Sequence, residues 1–176
     1  MVKYIALLRG INVGGQNRIV MTELKAAFEK QGFQKVATYI NSGNVVFESE
    51  LSESLVKTAC ETLIEKTFSL KIMVCIITTA ELSTALTHAP EWWNKTTDAK
   101  SNAIFVIPPV TAAEICAEIN DTKPEHEKIA FYGKIIFWTA PLATFSKTRL
   151  AKIVHKKDYS GITVRNANTT LRLSEF

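Results

Sequence analysis

The chain has 176 residues, of which 47% are hydrophobic and 22% are charged, and its net charge is +4 at neutral pH, as expected for a globular protein of one domain or two small ones. The N-terminal segment MVKYIALLRG holds a five-residue apolar run, too short for a secretory signal or a membrane span. Three cysteines without a CxxC pair and three widely spaced histidines argue against disulfides and a structural zinc site, so we expect a cytoplasmic protein without metal or cofactor.

The first half of the sequence predicts the element order βαββαβ. Leu24, Ala27 and Phe28 share one helical face, and the turn Asn41-Ser42-Gly43-Asn44 suits a hairpin because Gly and Asn tolerate positive φ. The predicted strands are Val2–Leu8, Lys35–Ile40, Val45–Glu48 and Lys71–Ile77, and the predicted helices are Thr22–Gln31 and Ser52–Phe68.

The second half repeats this order after a helix, Ala80–His88, and a linker, Ala89–Ser101. The linker contains Trp92-Trp93, which we interpret either as subdomain core or as a stacking lid over a ligand. The predicted strands are Ala103–Ile107, Glu127–Phe131, Ile135–Thr139 and Ile162–Arg165, and the predicted helices run from a Thr111 cap to Ile119 and over Ser146–Val154.

A repeated split βαβ unit predicts an α+β protein with two tandem ferredoxin-like subdomains. Each would be an antiparallel sheet with its helices packed on one face. We place the first subdomain at residues 1–78, a helix and linker at 79–101, and the second subdomain with a C-terminal extension at 102–176.

The loop between the first strand and the first helix is the main candidate for function. It has 12 residues, against about 2–6 in typical strand-to-helix loops. In a ferredoxin-like unit this loop and the turn between the second and third strands lie at the same end of the sheet, so we expect them to meet. Their polar and glycine residues form the candidate ligand site: Arg9, Gly10, Asn12, Gly14, Gly15, Asn17, Ser42, Gly43 and Asn44.

These residue types suit a polar ligand, because glycines permit close backbone approach and asparagines both donate and accept. The alternative is that the asparagines satisfy the backbone of the loop itself. The loop matches neither the G-x-G-x-x-G motif nor the P-loop motif, and it contains no acidic residue.

The basic excess lies in the C-terminal part, because residues 1–120 carry 11 Lys or Arg against 12 acids and residues 121–176 carry 10 against 5. A helix N-terminus beside basic side chains is a candidate anion site; a solvated basic face is the alternative. The residues concerned are Ser146, Lys147, Arg149, Arg165, Asn166 and Asn168, with Lys152, Lys156 and Lys157 nearby.

The segments LLRGINVGGQNRIVM, TYINSGNVVFES and TVRNANTTLRL together resemble the bacterial family catalogued as domain of unknown function 1697. The resemblance implies a duplicated ferredoxin-like fold and no established activity. The chain has Asn41 where Gln is commoner in the family, and Ala167 where an aromatic residue often stands. The family's motif residues coincide with the nine residues of the candidate ligand site. In the tail they fall on Arg165, Asn166, Asn168 and Thr169.

Three functions remain open from the sequence. The first is binding of a nucleotide or nucleic acid; Tyr4 and Phe47 stand on the strands that carry stacking rings in RNA-recognition domains, although the full RNA-recognition motif is absent. The second is an enzyme acting on a small polar metabolite, for which neither segment offers a general base. The third is an interaction scaffold with a purely structural loop.

Overall fold

The computed structural model describes residues 1–119, 123, 125–154 and 161–176. They form two compact units, Met1–Leu82 together with Phe176, and Ser83–Glu175. Within the described residues, no helix combines the length and the apolar character that crossing a membrane requires.

The first unit is a four-stranded antiparallel sheet in the order β2-β3-β1-β4, the arrangement of a ferredoxin-like unit. Two helices cover one face of this sheet, where Phe28, Phe33 and Phe47 form a ring cluster with Phe33 and Phe47 centroids 4.4 Å apart. The elements are β1 (Val2–Leu8), α1 (Met21–Lys30), β2 (Gln34–Tyr39), β3 (Asn44–Ser49), α2 (Glu53–Phe68) and β4 (Val74–Thr78).

The second unit has the equivalent order, β6-β7-β5-β8, and again every pair is antiparallel. Ile136 and Trp138 of the sheet pack beneath helix residues Ile115 and Leu150. Helix α3 (Thr79–Thr87) contains the point in the chain where the first unit ends and the second begins. The other elements are β5 (Ala99–Val106), α4 (Ala112–Glu118), β6 (Lys128–Tyr132), β7 (Ile135–Pro141), a 3-10 helix (Leu142–Lys147), α5 (Arg149–Val154), β8 (Ile162–Asn166) and α6 (Ala167–Leu173).

The predicted duplicated ferredoxin-like fold is confirmed, with differences in the second half. The predicted helix Ser146–Val154 is a 3-10 helix followed by α5, because Thr148 is extended (φ −63°, ψ 150°) and separates them. Strand β5 begins at Ala99, inside the predicted linker, since its polar start pairs with β7. The tail, predicted only as an extension, holds α6, whose first turn is capped by the Asn166 side chain accepting from the backbone N–H of Thr169 at 2.7 Å.

Candidate functional site

The loop Arg9–Val20 folds on itself as a small hairpin. The backbone N–H of Gln16 donates to the carbonyl of Val13 at 3.1 Å, across Gly14 and Gly15. Both glycines have positive φ, 60° and 76°, which a two-residue turn of this hand requires and which glycine adopts without steric cost. The tip of the loop is therefore shaped by its own backbone.

Asn12 ties this hairpin to the rest of the unit. Its Oδ1 accepts from the backbone N–H of Ile19 at 2.9 Å, and its Nδ2 donates to the Ile19 carbonyl at 3.0 Å and to the Asn41 carbonyl at 2.8 Å. Asn12 also has φ 54°, a left-handed conformation in which Asn is enriched. One side chain thus closes the loop and links it to the β2–β3 turn.

The β2–β3 turn packs directly against the start of the loop. The Leu8 N–H donates to the Gly43 carbonyl at 2.9 Å, and a Cβ on Gly43 would lie 2.7 Å from Cδ1 of Ile11 and 2.8 Å from Cβ of Leu8. Asn44 is fully buried and donates to the carbonyl of Tyr39 and to Oγ of Ser42, each at 2.9 Å. The loop and the turn form one contiguous, hydrogen-bonded surface at the same end of the sheet.

The predicted site residues are therefore largely occupied with the fold. Asn17 donates to the carbonyl of Gly10 at 3.0 Å, and half-buried Arg9 donates its backbone N–H to Met73 at 3.1 Å. Gly10, with φ 65°, has open space where a Cβ would stand. The amides of Asn12, Asn17 and Asn44 hold the loop and turn in one conformation. This agrees with the alternative that the asparagines satisfy the backbone of the loop itself.

Between the loop, the turn and the start of α1 lies an open cleft of about 500 Å³. Among the described residues that line it, Arg18 carries the single charge, and its side chain is exposed. Sequence reasoning left the lining residues Arg18, Ile19, Val20, Met21 and Asn41 out of the candidate site. Their one available signal was position, because they flank the start of α1 and the middle of the turn. The lining residues are Asn12, Gly15, Arg18, Ile19, Val20, Met21 and Asn41.

The N-terminus of α1 opens toward this cleft without a side-chain cap. Its N-cap residue is Val20, which makes no capping hydrogen bond. Glu23 in the first turn lines a separate groove between α1 and α2. The unsatisfied N–H groups of a helix start carry partial positive charge, which adds to that of Arg18. Arg18 and the start of α1 both contribute positive charge to the cleft.

The candidate anion site of the second unit is arranged differently from the expectation. The N-terminus of α5 is occupied by the carboxylate of Glu127, whose oxygens accept from the backbone N–H of Arg149 at 2.8 Å and of Leu150 at 3.3 Å. Glu127 is only 3% exposed. An acid of this chain thus takes the position that the sequence assigned to an external anion.

The remaining residues of that candidate site have structural contacts or lie on the surface. Buried Arg165 donates from its guanidinium to Oγ1 of Thr163 at 2.9 Å and to the carbonyl of Val164 at 2.8 Å, and Asn166 caps α6. Ser146 and Lys147 are exposed in the 3-10 helix, and Asn168 is exposed on α6. Lys156 and Lys157 lie outside the described residues.

The aromatic rings suggested for base stacking are buried. Phe47 is 0% exposed and Tyr4 is 4% exposed, both in the core beneath the helices. The RNA-recognition use of these two rings is therefore wrong, because no base can reach them.

The two adjacent tryptophans, Trp92 and Trp93, have different environments. Trp93 is core: its indole N–H donates to the carbonyl of Asn102 at 2.9 Å, and its ring meets Phe137 edge-on at 5.1 Å. Trp92 is half-buried and lines a small cleft of the second unit. The core interpretation holds for one indole only.

Fold and cleft together define an α+β protein of two ferredoxin-like units, one of which carries a long polar loop. A family model described as "Protein of unknown function (DUF1697)" matches residues 1–137, so the chain belongs to this family. It is similar over 99% of its length to the solved structure of conserved bacterial protein SP0830 from Streptococcus pneumoniae, with a TM-score of 0.86, 28% sequence identity and 97% of that chain covered. None of the curated proteins matches the chain.

Proposed function

We propose that this protein binds a small polar ligand with a phosphate or other anionic group, such as a nucleotide, in the cleft between the Arg9–Val20 loop and the β2–β3 turn. The observation that carries the proposal is the exposed Arg18 as the single charge of a cleft of about 500 Å³, a volume in the usual range of about 300–1,000 Å³ for small-molecule sites.

The hydrogen bonds of Asn12 and Asn44 support binding rather than oppose it. A loop that is already fixed loses little conformational entropy when a ligand arrives, so more of the contact energy appears as affinity. The asparagines then act by holding the cleft open, and the ligand meets Arg18 and exposed backbone groups.

Binding is favoured over catalysis by the chemistry of the lining. Among the described residues around the cleft there is no carboxylate and no imidazole. A proton-transfer reaction needs such a group within hydrogen-bond reach. The proposed location of the protein is the cytoplasm, supported by Cys60, Cys75 and Cys116 as reduced cysteines.

An interaction scaffold is the second candidate, and exposed apolar side chains at the same end favour it. Val13, Val20 and Ile40 are 67%, 56% and 48% exposed. Ile40 also has φ 47°, a conformation that costs a β-branched residue about 1–2 kcal/mol. Strain of this kind persists where a local geometry serves a purpose.

The test is a melting-temperature screen of nucleotides, sugar phosphates, amino acids and short oligonucleotides against the wild type, Arg18→Ala and Arg172→Ala. Arg172 is the charge-matched control, because it is exposed in the second unit and pairs with Glu175. A ligand present at about 100 times its dissociation constant stabilises the native state by about 2.7 kcal/mol. We expect a phosphate-bearing compound to raise the melting temperature of the wild type and Arg172→Ala, and much less that of Arg18→Ala.

Three results would change the assignment. A shift from oligonucleotides alone would point to nucleic acid. A shift that is equal in all three proteins would place the ligand elsewhere. No shift with any compound would favour the scaffold.

A further inference from the structure

A second cleft, of about 240 Å³, lies wholly within the second unit. It stands where the segment before β5 meets the start of β6 and the end of β7. Its volume is below that of drug-sized sites and leaves room for one ring system with a substituent. The side chains that matter to its chemistry are those of Trp92, Lys95, Asp98, Glu127, Lys128 and Thr139.

One wall of this cleft is a preset aromatic surface. Trp92 is half-buried, and its neighbour Trp93 is anchored in the core by the hydrogen bond to Asn102. The following residue, Asn94, donates its backbone N–H to Oγ of Ser101 at 3.0 Å. The backbone that carries Trp92 is therefore fixed, and its side chain is partly accessible at the cleft.

The opposite side is held by strand β7. Thr139 shares a 2.7 Å hydrogen bond with Ser101, and both hydroxyl groups are buried. The N–H of Leu142 donates to the carbonyl of Asp98 at 2.9 Å, which fixes the strand end against the segment before β5. The two walls of the cleft are thus cross-linked by backbone and side-chain bonds.

The charges of the cleft favour an anion. Lys95 and Lys128 are exposed and make no ion pair among the described residues. Glu127 is an acid of the lining, but it is buried and its carboxylate accepts from the backbone N–H groups of Arg149 and Leu150. Asp98 is the other acid and is exposed, so the exposed lysines of the lining outnumber its exposed carboxylates by two to one.

We propose that this cleft binds a small planar ring with an anionic substituent, the ring stacking on Trp92 and the carboxylate or phosphate pairing with Lys95 and Lys128. The site is separate from the one proposed in the first unit and shares no residue with it.

The experiment follows the three indole N–H signals of the full chain by NMR during titration with nicotinate. Nicotinamide serves as the neutral ring of the same shape and benzylamine as the cationic ring, while Trp92→Phe assigns the signal. Trp93 and Trp138 are buried and act as internal controls. We expect nicotinate at millimolar concentrations to shift the Trp92 signal saturably, and nicotinamide and benzylamine to bind more weakly.

The lysine variants test the charge argument without disturbing the core. Lys95→Gln and Lys128→Gln should each weaken nicotinate binding about threefold, and the double variant about tenfold, as expected for exposed ion pairs. Arg18→Ala should leave the titration unchanged, which separates this site from the first. The proposal is overturned by an unresponsive Trp92 signal, by tighter binding of benzylamine than of nicotinate, or by double-variant affinity equal to that of the wild type.

Discussion

The two units have the same strand order but differ at the end of the sheet where the first strand leaves. In the first unit, β1 connects to α1 through the 12 residues Arg9–Val20. In the second, β5 connects to α4 through only five, residues 107–111. The extra residues build the self-bonded loop and its cleft, so the first unit has this loop and the short connection of the second unit has no counterpart to it.

The helices that follow these connections also differ at their N-termini. Helix α1 begins at Met21, and its N-cap residue, Val20, makes no capping hydrogen bond. Helix α4 starts with a complete capping box, in which Thr111 accepts from the N–H of Glu114 and the Glu114 carboxylate accepts from the N–H of Thr111 at 2.8 Å. In α4 the capping side chains accept hydrogen bonds from the backbone N–H groups at the helix start, whereas in α1 no side-chain cap does so and these N–H groups can donate to a ligand.

The largest effect is expected where the two hairpins differ most. Gly43→Ala should lower the free energy of unfolding by about 3 kcal/mol, because the residue has φ 75° and its new Cβ would overlap Ile11 and Leu8. Gly133→Ala is the matched change in the second hairpin, where φ is 55° but nothing lies within 4 Å. Its expected loss is about 1 kcal/mol. Urea denaturation of both variants measures the contrast, and equal losses would contradict the packing argument.

A smaller effect is expected from the link between loop and turn. Asn12→Ala removes three hydrogen bonds, each worth about 0.5–1.5 kcal/mol, so the free energy of unfolding should fall by about 2 kcal/mol. Amide exchange should also quicken at Ile19, whose N–H loses its acceptor. Asn168→Ala is the control, since this exposed amide makes only a 3.4 Å bond to Asn94. Unchanged exchange at Ile19 would show that the loop holds its shape without Asn12.

The smallest effect concerns the capping box of α4 and depends on pH. The hydrogen bonds from Thr111, the side-chain bond first, hold the pKa of Glu114 below its usual value. A lowered pKa in the folded state stabilises the fold above the ordinary carboxyl range, and this contribution is lost as pH falls through the lowered value. Thr111→Ala should therefore melt below the wild type at pH 7, with a gap that narrows in acid. In a Glu114→Gln background, Thr111→Ala should show no such narrowing, and a constant gap in the protein that keeps Glu114 would contradict the assignment.

Much of the fold follows from local patterns in the sequence. Apolar runs and two hairpin turns predict the repeated βαββαβ order, and topology alone predicts that the Arg9 loop meets the turn at Gly43. The tail was harder, because α6 is a seven-residue helix rich in Thr and Asn, which have weak helix propensity. Its cap, Asn166, was the available signal.

The candidate site was less predictable, because hydrogen-bond partners depend on the path of the loop. Asn12 could have faced a ligand or its own backbone, and only its side-chain hydrogen bonds to the backbone of Ile19 and Asn41 decide for the backbone. Arg18 gains its place in the cleft from the direction in which the loop returns to α1. The Glu127 contact joins residues 22 positions apart, beyond any helical or turn spacing.

The Glu127 contact also has a consequence for the order of folding. The described part of helix α5 has six residues, and isolated helices below about 12–15 residues are marginal in water. Its first N–H groups are satisfied by a carboxylate that is positioned only when the start of the β6–β7 hairpin is in place. The hairpin is therefore the template on which α5 forms, and the two elements should open and close as one cooperative segment.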